Sequence, residues 1–381
     1  MIYFDHAATG MPKSEGVINA VASAMRFCGN PGRGSYELAS AGDRALFDCR
    51  NELAREFGSQ PENCVLTKNT TEALNMAIKG YVFSKKEPVH VLVSDFDHNA
   101  VSRIIYDLKQ KERIKLTVFE SDLFDDKKTV QNFENSITEK TSLAVFTHAS
   151  NVCGRIFPVK EMKKIAKCHG ITVITDIAQT AGLLDIKADD CGDIICLPGH
   201  KGLYGPAGTG AMIVSKDFDI EMHPLLHGGT GILSADMKMP AFLPERFEAG
   251  SLNAPAYAGL RTALREKHTK DKKLAQKIYK YLLSELKNMR GVTVIGAPEK
   301  NREDDWVPII LINLWGYNSE EAAEILAKEN IAVRGGLHCA YKAHKKLGTL
   351  KTGGVRISIG RGNTMVHAKA LIDTLARKMT C

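Results

Sequence analysis

Apolar residues recur along this chain with two alternating periods. Within residues 42–57, Leu46, Cys49, Leu53 and Phe57 fall at steps of three and four, the spacing of one helix face. A short apolar run at 64–67 then reads as a strand. The same exchange repeats downstream. Helices are expected over 70–82, 100–111 and 159–168, and strands over 89–93, 114–119, 142–146, 171–175, 193–197 and 210–214. Alternation of this kind predicts an α/β fold: an open, mostly parallel sheet covered by helices. Residues 224–256 are rich in glycine and proline, as in His227-Gly228-Gly229-Thr230-Gly231, and read as irregular chain. Beyond them Leu274, Ile278, Leu282 and Leu286 step by four in a long helical pattern. A strand over 307–314, a helix over 319–329 and an alternating strand over 355–359 complete what looks like a separate, smaller α+β unit.

Composition adds constraints. The chain has 381 residues, 44% hydrophobic and 25% charged, the values of an ordinary globular protein long enough for two or three domains. The net charge is +7, but basic and acidic residues are interleaved, as over 265–273, which is solvated helix surface and not a nucleic-acid track. No apolar stretch is long enough to span a bilayer, and Met1-Ile2-Tyr3-Phe4 opens as a strand and not as a signal peptide. A cytoplasmic enzyme with neither membrane nor nucleic-acid partner is the expectation. The nine cysteines are odd in number and scattered, without a CxxC pair, so no metal site is expected and most should be buried thiols.

The candidate chemistry sits at predicted strand ends. Asp176 closes one apolar run, and Lys201 follows another in Leu197-Pro198-Gly199-His200-Lys201. A carboxylate at a buried strand end needs a cation or hydrogen-bond donors nearby, and Asp176 could also cap the helix that follows. A lysine between glycines and a histidine can approach a ligand closely. Together they match the needs of pyridoxal 5′-phosphate (PLP): an amine to condense with its aldehyde and an acid to keep its ring nitrogen protonated. Asn69-Thr70-Thr71-Glu72 starts a helix after a strand, with Asn69 as cap and Glu72 placed for a capping box. The same helix end can bind phosphate. His98 could lie on a pyridine ring and shuttle protons, or simply cap its helix. Asn151 could donate to the cofactor or to substrate, or serve a turn. Gln179 could bond the phenolic oxygen, and His200 the phosphate. Cys339 lies among basic and glycine residues in a setting that favours the nucleophilic thiolate, or is an inert buried thiol. Arg356 could clamp a substrate carboxylate, or form a surface ion pair on an alternating strand.

These segments together resemble the fold-type I PLP enzymes of the class V aminotransferase group, and within it the cysteine desulfurases of the SufS-like, type II kind. The likeness runs along nearly the whole chain. It is carried by Tyr3-Phe4-Asp5-His6-Ala7-Ala8-Thr9, Asn30-Pro31-Gly32-Arg33-Gly34, Asn69-Thr70-Thr71-Glu72, Asp176 with Gln179, Gly199-His200-Lys201, Arg246-Phe247-Glu248-Ala249-Gly250, and Arg334 to Ala340 around His338-Cys339. The resemblance implies a fold-type I PLP-dependent transferase. It would have a large domain (16–255) with a mostly parallel seven-stranded sheet. A small α+β C-terminal domain (256–381) would carry Cys339, with residues 1–15 packing on it. It also implies roles. Lys201 bonds the cofactor, Asp176 pairs with its nitrogen and His98 stacks on its ring. Gln179 meets the phenolic oxygen; Asn69, Thr70, Thr71 and His200 bind phosphate. Asn151 and Arg356 hold the substrate, and Ser251 reaches the cofactor of a homodimer partner.

The activity so implied converts L-cysteine to L-alanine, with the sulfur left as a persulfide on Cys339 for a sulfur-acceptor protein. The setting is sulfur metabolism such as iron–sulfur cluster assembly. Selenocysteine lyase or a C–S β-lyase is the alternative activity, and a non-catalytic PLP-fold scaffold the alternative of another class. The sequence departs from the family at Pro198, where many relatives have a phosphate-binding Ser or Thr. It departs also at His6, Tyr341 and Ser251-Leu252-Asn253.

Overall fold

The computed structural model describes all residues except Arg33, Asp217, Asp219, Ile220, Lys267, His268, Thr380 and Cys381. Arg33 of the glycine-rich motif, the 267–268 part of the mixed-charge run and Cys381 therefore lie outside the described residues. The first half of the chain runs β1 (Ile2–Tyr3), α1 (Glu15–Phe27), α2 (Glu37–Phe57), β2 (Cys64–Thr67), α3 (Thr70–Ser84), β3 (Val89–Ser94), α4 (Asn99–Gln110), β4 (Ile114–Phe119), α5 (Asp126–Asn135), β5 (Thr141–Thr147), α6 (Val159–Cys168), β6 (Thr172–Asp176), α7 (Ala188–Cys191), β7 (Ile194–Pro198) and β8 (Gly210–Val214). The second half runs α8 (Ala254–Arg265), α9 (Thr269–Asn288), β9 (Val292–Ile295), β10 (Ile309–Leu314), α10 (Ser319–Lys328), β11 (Ile331–Ala332), α11 (Tyr341–Lys346), β12 (Val355–Ser358) and α12 (Met365–Met379).

Seven strands form one sheet in the order β2-β8-β7-β6-β5-β3-β4. β3 to β7 are mutually parallel, and β8 runs antiparallel to both of its neighbours, β2 and β7. The sheet is thus mixed but mostly parallel. Its central strands are buried on both faces, which is why they appear in the sequence as continuous apolar runs and not as alternation. Two reversals at β8 leave β2 pointing the same way as β7. The carboxyl ends of β2, β3, β5, β6 and β7 therefore share one edge, where ligands of such sheets bind.

A second sheet, β12-β10-β9, is antiparallel, and β1 pairs with β11 in a parallel two-stranded ribbon. Helices α9, α10 and α12 cover this part with Ile278, Leu282, Leu286, Leu326, Leu371 and Leu375, and Phe4 from the N-terminus is buried in the same cluster. The expected division at 255/256 falls inside α8. Asn253 caps that helix, and its Ala254, Tyr257 and Leu260 belong to the core of the large sheet. We propose that the division follows Arg265. No helix among the described residues is long and apolar enough to cross a membrane.

Helices α1 and α5 were not predicted: α1 carries Val17, Ala20, Val21 and Ala24 at helical spacing, and α5 buries only Thr129 and Phe133. Helix α12 was also not predicted. β12, expected to alternate, is buried at all four positions: Val355 and Ile357 join the core of the smaller unit, and Arg356 and Ser358 are covered by Asp5, Asn151 and Phe4. Of the described cysteines, Cys49, Cys64, Cys153, Cys191 and Cys196 are buried, whereas Cys168 and Cys339 are exposed.

Candidate active site

Each strand end delivers one part of a cavity of about 190 Å³. After β2 come Asn69, Thr70 and Thr71; after β3, His98; after β5, Asn151; at the tip of β6, Asp176 and then Gln179; after β7, His200 and Lys201. Nine residues singled out by sequence as candidates for the site thus line one space. Pro198 lines it too, as the last residue of β7.

Lys201 is half-buried and lines this space. Burial draws the ammonium from 10.5 down to about 8; the Asp176 carboxylate opposes that shift, and Arg356 and Arg334 add to it. Asp176 is 4% exposed, and burial raises its carboxyl, with the Lys201 charge and the Ala178 amide pulling the other way. The amide of Ala178 donates to Asp176 Oδ1 at 2.8 Å. A buried acid and a buried amine in mutual range, each with its charged form disfavoured, mark a site built for chemistry.

His98 does cap α4: the Ala100 amide donates to its Nδ1 at 3.0 Å. That bond does not exclude the ring role. It fixes the proton of the neutral ring on Nε2 and holds the plane. Burial, reinforced by Lys201 and Arg356, lowers His98 to about 4, so the ring is neutral. Burial likewise lowers His200 to about 4. Asn69 caps α3 by accepting from the Glu72 amide at 2.9 Å. The reciprocal half of the expected capping box is displaced by one residue, because Glu72 accepts from the Lys68 amide at 2.5 Å and not from Asn69. Gln179 donates to the Ala7 carbonyl at 3.1 Å, so the opening motif closes one wall.

Arg356, Cys339 and Ser251 are not among the cavity-lining residues. Arg356 is no surface ion pair. It is 3% exposed, donates from Nη1 to the Asn151 carbonyl at 2.9 Å, and pairs through Nη2 with Asp5 at 3.1 Å. Cys339 is exposed on the loop before α11. Its carbonyl accepts from the Asn99 amide at 2.7 Å, and the His338 carbonyl accepts from Asn151 Nδ2 at 2.7 Å. The loop is therefore tied to the two elements that carry His98 and Asn151. Both His338 (φ 50°) and Cys339 (φ 54°) are left-handed. Each such non-glycine residue costs of order 1–3 kcal/mol, which surrounding contacts must offset. Ser251 is exposed and lies instead on a separate 680 Å³ cleft with Arg50 and Glu248.

Sequence reasoning missed Asp5 and Asp97 as parts of this region. Asp5 is buried between Arg334 and Arg356. Asp97 is fully buried, accepts from the amides of Ser94 and Thr147, and is pushed up to about 8 by burial, against the pull of Lys342. A second acid at a strand end, directly before His98, was the available signal for Asp97. Asp5 gave none, since both of its partners are more than three hundred residues away in sequence.

A family model described as Aminotransferase class-V matches residues 2–371. The chain is 31% identical over 388 residues to a "Probable cysteine desulfurase" of Methanothermobacter thermautotrophicus, covering 98% of this chain and 94% of that protein. It is 30% identical over 397 residues to a "Probable cysteine desulfurase" of Halalkalibacterium halodurans, covering 99% and 92%. Among solved structures, the apo cysteine desulfurase from Thermococcus onnurineus NA1 superposes with a TM-score of 0.91 at 28% identity, covering 100% of this chain and 94% of that one. The match takes in the mixed sheet, the cavity at its carboxyl edge and the loop at 339, and the chain belongs to the class V aminotransferase family of enzymes.

Proposed function

We propose that this protein is a PLP-dependent cysteine desulfurase of the type II kind, which converts L-cysteine to L-alanine and leaves the sulfur as a persulfide on Cys339. One observation carries the reading. Lys201 and Asp176 line a single cavity in which Thr70 Oγ1 and His200 Nδ1 are buried with no partner among the described residues. Buried polar atoms are rarely left without partners. These two stand with the first turn of α3, whose outward N–H groups suit a phosphate. The residues present therefore fit PLP. Lys201 would hold it covalently, Asp176 at the ring nitrogen, His98 at the ring face and Gln179 at the phenolic oxygen. Asn69, Thr70, Thr71 and His200 would hold its phosphate. Pro198 offers no donor where relatives of this family have a hydroxyl. Bound PLP would supply an aldehyde for amines and a ring that withdraws electrons from the substrate Cα.

The side chains then divide the work. With an amine near 8, about one-tenth of Lys201 is neutral at pH 7, enough to take the Cα proton of the substrate. Arg356, held by Asp5 and Asn151, presents a guanidinium for the substrate carboxylate. Cys339 Sγ forms an S–S bond as the substrate Cβ–S bond breaks, and the electron pair of the broken bond stays with the carbon fragment. Thiol plus L-cysteine give persulfide plus L-alanine, with hydrogen and electrons balanced and no external oxidant. The exposure of Cys339 suits transfer onward to an acceptor protein. Ser251 would serve the cavity of a second copy in a homodimer; its exposure outside the cavity of its own chain supports that reading.

The test is Cys339→Ser in PLP-loaded protein. Alanine and sulfide release from cysteine with reductant should fall at least about 100-fold, while the visible absorbance of the lysine-linked cofactor persists. Full desulfuration by this variant would refute the nucleophile, and a protein that stays colourless with added PLP would refute the cofactor.

A further inference from the structure

Two buried imidazoles lie directly behind the Cys339 loop. The rings of His338 and His344 have centroids 5.4 Å apart and planes within 12° of each other. His338 Nδ1 is 3.2 Å from His344 Nε2. At one end His338 Nε2 is 3.1 Å from the Arg334 carbonyl oxygen, and at the other His344 Nδ1 is 2.7 Å from Thr349 Oγ1. A carbonyl can only accept, so His338 carries its proton on Nε2. Its Nδ1 then accepts from His344 Nε2–H, and His344 Nδ1 accepts the Thr349 hydroxyl proton. Each polar atom in the row has one role, set from the carbonyl end. Burial favours the neutral rings that this row requires, lowering His338 to about 3 and His344 to about 4.

The row holds the loop by a side chain, where its other anchors hold backbone carbonyls. The carbonyls of His338 and Cys339 are taken by Asn151 and Asn99, on the large-sheet side. The imidazole of His338 is taken by His344, whose own amide accepts no freedom either: it donates to the Ala340 carbonyl just past the cysteine. His344 is fully buried, so nothing from solvent can replace it. We propose that His344 is a positioning residue for Cys339. Acting through His338, with Thr349 fixing its tautomer, it holds the thiol-bearing loop in its left-handed conformation beside the cavity. This rests on the reading of Cys339 as the sulfur nucleophile.

The experiment uses PLP-loaded protein and four variants: His344→Ala, His344→Gln, Thr349→Val and Thr349→Ser. Three quantities are read: persulfide formation on Cys339, the visible-spectrum change on adding cysteine, and the alkylation rate of Cys339 by iodoacetamide. His344→Ala should slow persulfide formation about 100-fold, as a misplaced reacting group does. Its cysteine-induced spectral change should keep its amplitude and half-saturation within about twofold. His344→Gln, whose amide can donate to His338 Nδ1, should recover most of the loss. Thr349→Val should slow persulfide formation about fivefold, the loss of one hydrogen bond, and Thr349→Ser should not. Alkylation of Cys339 should change in the same order as persulfide formation. Wild-type rates in both Ala and Val variants would overturn the proposal. So would equal losses in persulfide formation and in the spectral change, which would mean general damage. If His344→Ala does not fold, the Thr349 pair decides by the same criteria. If the wild-type protein forms no persulfide, the desulfurase reading fails separately, and the alkylation order still decides the positioning role.

Discussion

Removing the carboxylate of Asp5 should loosen the buried guanidinium of Arg356, the proposed holder of the substrate carboxylate. Asp5 accepts from Arg334 Nη2 at 2.7 Å and from its Nε at 3.1 Å, and from Arg356 Nη2 at 3.1 Å. The two pairs differ in worth. The Arg334 side chain is 52% exposed, so that pair contributes about 0.2–1 kcal/mol. The Arg356 side chain is 4% exposed, its Nε is buried without a partner, and burial already lowers its affinity for the proton. Breaking a buried pair from one side strands the other charge and costs about 3–5 kcal/mol. Asp5→Ala should therefore lower the free energy of unfolding by about that amount, read by urea denaturation of the cofactor-free protein. Arg356, left with only the Asn151 carbonyl, should also bind substrate more weakly, raising KM for cysteine about tenfold, equivalent to 1.4 kcal/mol. The double variant Asp5→Ala with Arg356→Met removes both charges. It should be more stable than Asp5→Ala alone, since no uncompensated ion remains. A loss below about 1 kcal/mol in Asp5→Ala, or strict additivity in the double variant, would refute the claim that this pair holds Arg356.

Two further outcomes follow from the cavity. Pro198→Ser places a hydroxyl at a lining position without a donor, and a hydrogen bond to a charged group contributes about 1.5–3 kcal/mol. PLP should then bind at least about tenfold more tightly in an absorbance titration, and an unchanged affinity would show that residue 198 does not face the phosphate. In the cofactor-free protein the amine of Lys201 should react with an amine-directed label along a titration centred near pH 8 rather than 10.5. Its folded proton affinity lies below the unfolded one, so between pH 8 and 10.5 the unfolded chain binds more protons, and this group's penalty on stability is relieved as pH rises through that window. A labelling midpoint near 10.5 would mean that the amine is solvated and the cavity wrongly assigned.

The legible part of this protein is local and periodic. The strands over 114–119 and 210–214 and the helix over 159–168 appear in the structure with the predicted bounds. Buried parallel strands must be apolar throughout, and their helices must show one stripe. The chemistry at strand ends was legible for the same reason: Asp176, Lys201 and His98 break apolar runs where a buried polar group needs a purpose. Helix α5 was hidden because two buried side chains make no pattern; α1 carried a helical spacing at Val17, Ala20, Val21 and Ala24 and was not predicted. α8 was hidden because the irregular run before it, with Pro255 in the helix's first turn, masks a start that the Asn253 side chain supplies.

Order along the chain thus dictated which segments fold and which residues carry reactive groups, because propensity and periodicity act over a few neighbouring positions. Whether those groups meet was decided by packing. Parallel strands gather their carboxyl ends on one edge, and the antiparallel β8 turns β2 to deliver Thr70 there as well. Asp5, Arg334 and Arg356 become one network only when β1, β11 and β12 come together. Charge pairing across hundreds of residues depends on distance through space, which no local pattern encodes.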